Sequence, residues 1–376
     1  MAPNPDALKP DSPVDFAELF RTLAAGEHLS GRQARAAADA MLTGAASEAQ
    51  MAGLLIGLRT KGETAAELAG LLDGLRAAAL DVGVDAEAMG LIDTCGTGGD
   101  GSGSLNISTM AALVAAGAGA RVCKHGNRAV SSSCGSADLL EALGVVVDLG
   151  PAGVAACLRE AGIAFCLAPL FHPALRHAGP TRRSLGVPTA FNYLGPMANP
   201  AGVRRQVIGV NDPAMAERMA EVLAVTGTQR AMVVHGYPRL DELSTVGPTR
   251  VIELREGRIE RYTVTPAELG LATVELADLA GEDVATGVAA TQALLAGESV
   301  PWREIVCLNA AAGLVVGDMA ADLPEGLRLA AAALDSGTAA AALARWVQAS
   351  QAQAATAPSD EPSPAVWPAT GSRRGA

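Results

Sequence analysis

Residues 93–109, DTCGTGGDGSGSLNIST, set five glycines into the eight positions from Gly96 to Gly103 and end in Ser108-Thr109 ahead of an apolar run. Backbone amides unobstructed by Cβ atoms, placed just before a helix N-terminus, are suited to gripping an oxyanion such as phosphate. A second polar segment, KHGNRAVSSSCGSADLLEALG (124–144), repeats the arrangement. There Lys124 supplies a point charge after a strand, Gly126 allows close backbone approach, Asn127 can present an amide to a second ligand, and Arg128 offers a planar fork. Ser131, Ser132 and Ser136 add hydroxyls, with Ser136 the expected N-cap of ADLLEALG. In HGYPRLDELSTVGPT, Asp241 and Glu242 follow the strand candidate AMVVHG. Adjacent carboxylates at the carboxyl edge of a strand suit a magnesium ion shared with phosphates. A solvated acidic turn is the alternative for that pair taken alone.

The distribution of charge supports an anion site. The chain has 28 Lys+Arg against 40 Asp+Glu, a formal charge of −12. Yet no carboxylate stands between Asp100 and Asp138, an interval that holds Arg121, Lys124, His125 and Arg128. A second acid-free region, Ala161 to Asn211, carries Arg176, Arg182, Arg183, Arg204 and Arg205 with His172 and His177. Two such regions in an acidic protein imply a multiply charged anionic ligand. Plain burial of both segments is the competing reading, and the retained arginines count against it. GTGGDG satisfies G-x-G-x-x-G, but the acid that a dinucleotide site needs about twenty residues later is missing. A P-loop is excluded because no lysine here is followed by Ser or Thr.

The elements that must position these residues are legible in outline. Residues 1–14 read as a flexible lead, and 15–88 as a helical domain in which SGRQARAAADAMLTG starts at Ser30 and stops at Gly44. From 89 to 350, strand candidates GLIDTC, ARVCKHG, VVVDLG, AFCLAP, QVIGV, AMVVHG and TRVIEL alternate with helical stretches, with RIERYTVTP as a late antiparallel piece. That cadence predicts an α/β domain around a mixed, mainly parallel sheet. Residues 351–376, rich in Pro, Ala and Ser, read as a disordered tail. Hydrophobic content of 49% with 18% charged residues describes a compact fold. The negative charge argues against nucleic acid or an anionic membrane as partner. Six cysteines without a C-x-x-C pair, and an N-terminus lacking an apolar signal core, suggest reduced thiols in a cytoplasm.

GTGGDG…NIST, KHGNRAVSS…GSADLLEALG, APLFHPALRHAGPTRRSLGVPTAFNYLGPMANP and LDELS, with LRTKGET at 58–64, resemble in order and spacing the anthranilate phosphoribosyltransferases, over roughly residues 17–345. The resemblance implies a small helical domain, joined by helices from about 173–205, and a larger α/β domain of the nucleoside-phosphorylase-like phosphoribosyltransferase fold. It implies a homodimer formed through the helical domain. It also implies transfer of phosphoribose from phosphoribosyl pyrophosphate (PRPP) to the amine of anthranilate in tryptophan biosynthesis, with Mg²⁺, two ions per subunit, and release of pyrophosphate. By motif, Gly96, Gly99, Asp100, Ser104, Asn106, Ile107, Ser108 and Thr109 would line the PRPP site. Lys124, His125, Gly126, Asn127, Arg128, Ala129, Val130, Ser131, Ser132 and Ser136 would continue it. Ser108, Asp241 and Glu242 would hold magnesium, and Gly96, Asn127 and Arg182 would meet anthranilate. Two departures from the family pattern stand out. Ala129 replaces a frequent serine, and Tyr237-Pro238-Arg239 lengthens the turn before Asp241.

The chemistry so implied needs no covalent nucleophile. An aryl amine is neutral at physiological pH, so holding it in line through its carboxylate supplies much of the acceleration. His125 could relay the amine proton or act only by position. Two rivals remain. A nucleoside phosphorylase would take a base and phosphate, and a single-strand nucleic-acid binder would need a basic face with stacking aromatics, against an aromatic content of 3% here.

Overall fold

The computed structural model describes residues 14–129, 134–281 and 283–356. It divides into two compact units, one formed by the chain up to Ala78 with Ala174–Ala190, the other by Ala79–Pro173 with the chain from Phe191 onward. Residues 79–88, read from the sequence as part of the helical domain, fall in the second unit. Leu80 N donates to Phe171 O and Val82 joins that unit's apolar core. Residues 191–205 fall there too.

The first unit contains helices Phe16–Ala24, Gly31–Leu42, Glu48–Lys61 and Ala65–Ala77, with Gly179–Leu185 from the later segment. Asp15 caps the first, and Ser30–Gln33, Ser47–Gln50 and Thr64–Glu67 form capping boxes on the next three. Ser30 and Gly44 bound the second helix as its sequence predicts, with Gly44 at φ +78°. Just beyond LRTKGET, the buried Glu67 carboxylate accepts from Leu29 N and Thr64 N at 2.8 Å, and from Thr64 Oγ1 and Lys61 Nζ at 2.9 Å. That one carboxylate joins three segments of the bundle.

The second unit is built on a seven-stranded sheet. Its strands are β1 Leu91–Gly96, β2 Arg121–Gly126, β3 Ile163–Leu167, β4 Arg205–Gly209, β5 Arg230–Gly236, β6 Thr249–Arg255 and β7 Arg258–Val264. The spatial order is β3-β2-β1-β4-β5-β6-β7. β1 to β5 pair in parallel, whereas β6 and β7 run antiparallel. The sheet is thus mixed and mainly parallel, with RIERYTVTP as β7. VVVDLG is not a strand. Val145 and Val147 are buried in the core, but Val146 N donates to Ser350 Oγ of the last helix rather than to a neighbouring strand. Its apolar alternation is satisfied by packing, which a sequence pattern cannot separate from pairing.

The chain builds outward from β1 to β3, then returns to place β4 on the other side of β1. This topological switch leaves a crevice outside the carboxyl ends of β1 and β4, where α/β folds bind ligands. The helix Ile107–Gly117 follows β1 and is covered by Arg303–Val316 and Thr338–Thr356. That last helix runs six residues past 350, because QAQAAT is rich in alanine and glutamine, which favour helix. No helix among the described residues is long and apolar enough to cross a membrane.

Candidate active site

The glycine-rich segment lies in the switch-point crevice. Gly98, Gly99, Gly101 and Gly103 adopt φ between +62° and +71°, the left-handed region that favours glycine. The loop is tied down at several points. Asn211 Nδ2 donates to Gly98 O at 2.8 Å, Ser102 N and Oγ donate to Asp100 Oδ1, and Ser102 Oγ donates to Ser104 Oγ at 3.0 Å. Gly281 N and Gly103 O, then Leu105 N and Leu279 O, fasten its far side.

Gly96 and Gly209 are register partners at the carboxyl ends of β1 and β4. A Cβ on Gly209 would overlap the Asp241 carbonyl and stand 2.9 Å from its Cα; one on Gly96 would stand 2.9 Å from Asp241 Cγ. The two bare strand ends therefore make the room in which Asp241 sits. Its Oδ2 accepts from Gly98 N at 2.7 Å, and Glu242 Oε1 accepts from Ser108 N at 3.0 Å, at the start of the helix Ile107–Gly117. The turn at 237–239 leads directly into this pair. Gly236 and Leu240 bond each other both ways, N to O, and close the bulge before Asp241.

Burial, then the Asp100 charge, raises the Asp241 carboxyl to about 7; burial, then Asp241, raises Glu242 to about 8. Asp100 Oδ2 is buried without a hydrogen-bond donor. The nearby cation is Lys124, whose buried Nζ donates to Thr94 O at 2.5 Å and Ser108 Oγ at 3.2 Å. Crowded acceptor oxygens short of positive charge are a fit for a hard divalent cation. Among the described residues no three His, Cys, Asp or Glu side chains form a metal cage. That matches Mg²⁺ bound through one or two carboxylates, with phosphates and water completing its shell.

The second segment leaves β2 beside this cluster. Its base rests on Asp93, a buried carboxylate whose pKa is raised by burial despite Lys124. Asp93 accepts from His125 N at 3.2 Å and from Asn199 Nδ2 at 2.8 Å, and the Asn199 amide also reaches Cys123 O. The His125 ring bonds Gly195 O at 3.1 Å and lies 5.1 Å from the His172 ring, centre to centre. Burial, then His172, lowers His125 to about 3, while burial lowers His172 to about 4, so both rings are neutral at physiological pH. Packing alone already requires a glycine at Gly126, since a Cβ there would strike Ser136 Oγ and come 2.8 Å from Phe165. Ser136 Oγ donates to Asn127 O, and Asn127 Oδ1 accepts from Arg128 N.

Several sequence expectations need correction. Ser136 is not the N-cap; Gly135 is, with Asp138 Oδ2 accepting from Gly135 N at 2.9 Å and from Ala129 N at 2.8 Å. The Ala129 amide is therefore engaged within the loop. Arg128 is forked onto Glu141 at 2.6 and 3.1 Å. The Ile107 and Thr109 side chains are buried in the core. Arg204 pairs with Glu87, and Arg205 pairs with Asp318 at the opposite end of β4. Freedom from acids thus gathered residues from two ends of the sheet. Arg176, Arg182 and Arg183 lie in the first unit, Arg182 on the helix Gly179–Leu185. Val130, Ser131 and Ser132 lie outside the described residues. Asp93, Asn199 and Gly209 escaped the sequence reading, although a carboxylate inside the apolar strand LIDTCG is a signal of a buried polar network.

Comparison with known proteins agrees with this geometry. Residues 88–340 match the glycosyl transferase family a/b domain, and residues 17–79 the helical bundle domain of the same family. The anthranilate phosphoribosyltransferase of Roseiflexus sp. (strain RS-1) is 52% identical over 328 residues, 87% of this chain and 95% of that protein. That of Afipia carboxidovorans is 48% identical over 90% of this chain and 99% of its own length. The crystal structure of anthranilate phosphoribosyltransferase from Thermus thermophilus aligns with a TM-score of 0.82 at 42% identity, covering 88% of this chain and 99% of that one. The Saccharomyces cerevisiae enzyme in complex with PRPP and Mg aligns at 0.80 with 25% identity, covering 91% and 99%. Glycine-lined switch point, paired carboxylates and two-part architecture coincide with that kinship: this chain belongs to the glycosyl transferase family, among the anthranilate phosphoribosyltransferases.

Proposed function

We propose that this protein transfers the phosphoribosyl group of PRPP to the amine of anthranilate, giving N-(5-phosphoribosyl)anthranilate and pyrophosphate, in tryptophan biosynthesis. The observation that carries the reading is the placement of Asp241 and Glu242 over the bare ends of β1 and β4, each accepting from an amide of the glycine-rich loop or the helix behind it. A relative carrying this fold is known in complex with PRPP and Mg.

In this reading the loop around Gly96, Gly99, Asp100 and Ser104, the helix start Asn106 to Thr109, and the segment Lys124 to Ser132 with Ser136 line the PRPP site. Ile107 and Thr109 serve by backbone only. Ser108, Asp241 and Glu242 would hold Mg²⁺, two ions per subunit, which when bound neutralises the charge growing on pyrophosphate. The protein's own part is positional. Lys124 orients Ser108 Oγ and partly offsets the Glu242 charge. Loop amides would face the negative charge that develops on the leaving pyrophosphate as C1 of the ribose becomes oxocarbenium-like. Asn127 and Arg182 would orient anthranilate beside Gly96, Arg182 through the carboxylate. His125, lowered to about 3 by burial and then His172, is neutral and a weak base at physiological pH, which favours the positional role over the proton relay. No cysteine is needed: burial raises the Cys95 thiol, and Cys134 is pushed up to about 11. The protein would act as a cytoplasmic homodimer joined through its helical unit, where Ile56 and Val187 are exposed; its mass in solution tests the dimer.

The test is an assay with PRPP, Mg²⁺ and anthranilate, following loss of anthranilate fluorescence and release of pyrophosphate. Equimolar consumption and release are expected. Absence of both, with phosphorolysis of a nucleoside instead, would overturn the reading.

A further inference from the structure

The edge of the sheet opposite the crevice carries charges that phosphoribosyl transfer does not use. Arg205 opens β4, Arg230 opens β5, Arg255 closes the antiparallel β6 and Arg258 opens β7. The register pairs Arg205 with Arg230, Arg230 with Arg255, and Arg255 with Arg258. Direct cross-strand partners share a face, so four guanidinium groups stand in a row in which each repels the next. The fold compensates only the first two. Asp318 holds Arg205 and Arg230, and Glu253 holds Arg230 at 2.9 Å while accepting from Tyr262 OH. Among the described residues neither Arg255 nor Arg258 has a carboxylate partner.

Arg205, Arg230 and Arg255 line a cleft of about 790 Å³ whose other wall is the turn Asp318–Ala321. The volume lies in the range of small-molecule sites. Asp318 adopts φ +56°, a left-handed conformation unusual for a non-glycine residue, and there its carboxylate bridges Arg205 and Arg230. The cleft thus already grips one oxyanion, its own. At the same cleft, Gln229 Oε1 is buried with no donor, although its Nε2 donates to Glu87 at 2.8 Å. Glu256, in the β6–β7 turn, is a second acceptor without a described partner, whereas Glu325 is engaged by Ala321 N and lies 3.6 Å from Arg328.

The geometry points to a second ligand site at this edge, for a small sugar phosphate: guanidinium forks of Arg255 and its row for the phosphate, Gln229 Oε1 and Glu256 for sugar hydroxyls. Phosphate matches planar forks, and acceptor groups among the lining residues call for a ligand that also donates. The site is independent of the transferase reading, because none of these residues belongs to the crevice.

Calorimetric titration of the full-length protein with ribose 5-phosphate tests it. With PRPP and Mg²⁺ saturating the crevice, one class of site per chain is still expected in the wild type. In Arg255→Ser/Arg258→Ser that class weakens at least tenfold, while KM for PRPP stays within twofold. Ala321→Phe, which fills the cleft without changing charge, should remove the same class and serves as the independent variant. Inorganic phosphate should bind that class at least tenfold more weakly than ribose 5-phosphate. No binding beside saturating PRPP, a class untouched by both variants, or inorganic phosphate binding equally well would overturn the proposal.

Discussion

Replacing Gly209 by alanine adds one methyl group where the structure has no room for it. The new Cβ would overlap the Asp241 carbonyl and stand 2.9 Å from Asp241 Cα. Ordinary contact between carbon atoms needs about 3.5–4.0 Å, so clearing Cα alone takes about 1 Å and the deeper overlap with the carbonyl takes more. Gly209 lies within β4, paired with Gly96 of β1 and Val234 of β5, so the strand cannot yield instead. A misplacement of about 1 Å in a group that positions the reacting charges costs about 100-fold in rate, or about 2.7 kcal/mol of barrier. The assay is steady-state pyrophosphate release at several Mg²⁺ concentrations, with circular dichroism to verify the fold. The expected signature is a fall in kcat/KM of at least that size with a raised Mg²⁺ requirement. Gly150→Ala is the control, since a Cβ there meets nothing within 4 Å at φ −70°. A folded Gly209→Ala enzyme within threefold of wild type, with unchanged Mg²⁺ dependence, would refute the argument that the paired glycines exist to seat Asp241.

In the metal-free protein, Asp241 and Glu242 keep their protons up to about 7 and 8, whereas the unfolded chain loses them near 4. The folded state then binds more protons across that window, so stability falls as pH rises from about 4 to about 8 and levels off above. Thermal unfolding against pH, with Asp241→Asn/Glu242→Gln flattening the trend, checks it. Arg182→Ala should raise KM for anthranilate about 10- to 100-fold, the worth of a charge-assisted hydrogen bond, and leave KM for PRPP near wild type; an unchanged anthranilate KM would refute the clamp. Glu67→Ala leaves Lys61 buried without its counter-ion and strips acceptors from Leu29 and Thr64, so a loss of about 3–5 kcal/mol is expected in denaturant unfolding.

The sequence carried most of what is local. Capping at Ser30, the strand LIDTCG, the antiparallel RIERYTV and the helix behind Ser108 follow from residue type and spacing within a dozen positions. What it did not carry depends on contacts between distant segments. VVVDLG has the composition of a strand, but its partner is Ser350 on the last helix. Ser136 reads as a cap, yet Asp138 reaches back to the Gly135 amide and leaves the serine inside the helix. Arg205 sits in an acid-free stretch, but β4 delivers it to the far edge because a strand separates its two ends. Gly209 showed no local sign of its role, since Asp241 arrives from another loop.

The last helix bears on the order in which the enzyme can be made. Ala339 presses so closely on Gly117 that a side chain there would collide, and Trp346 is entombed in the core beside it. The helix that begins at Ile107 and presents Ser108 therefore remains uncovered on one side until translation has passed residue 346. On the ribosome, substrate-binding competence is a late acquisition, and a chain released before that point would display an alanine-rich apolar flank to any chaperone or protease nearby.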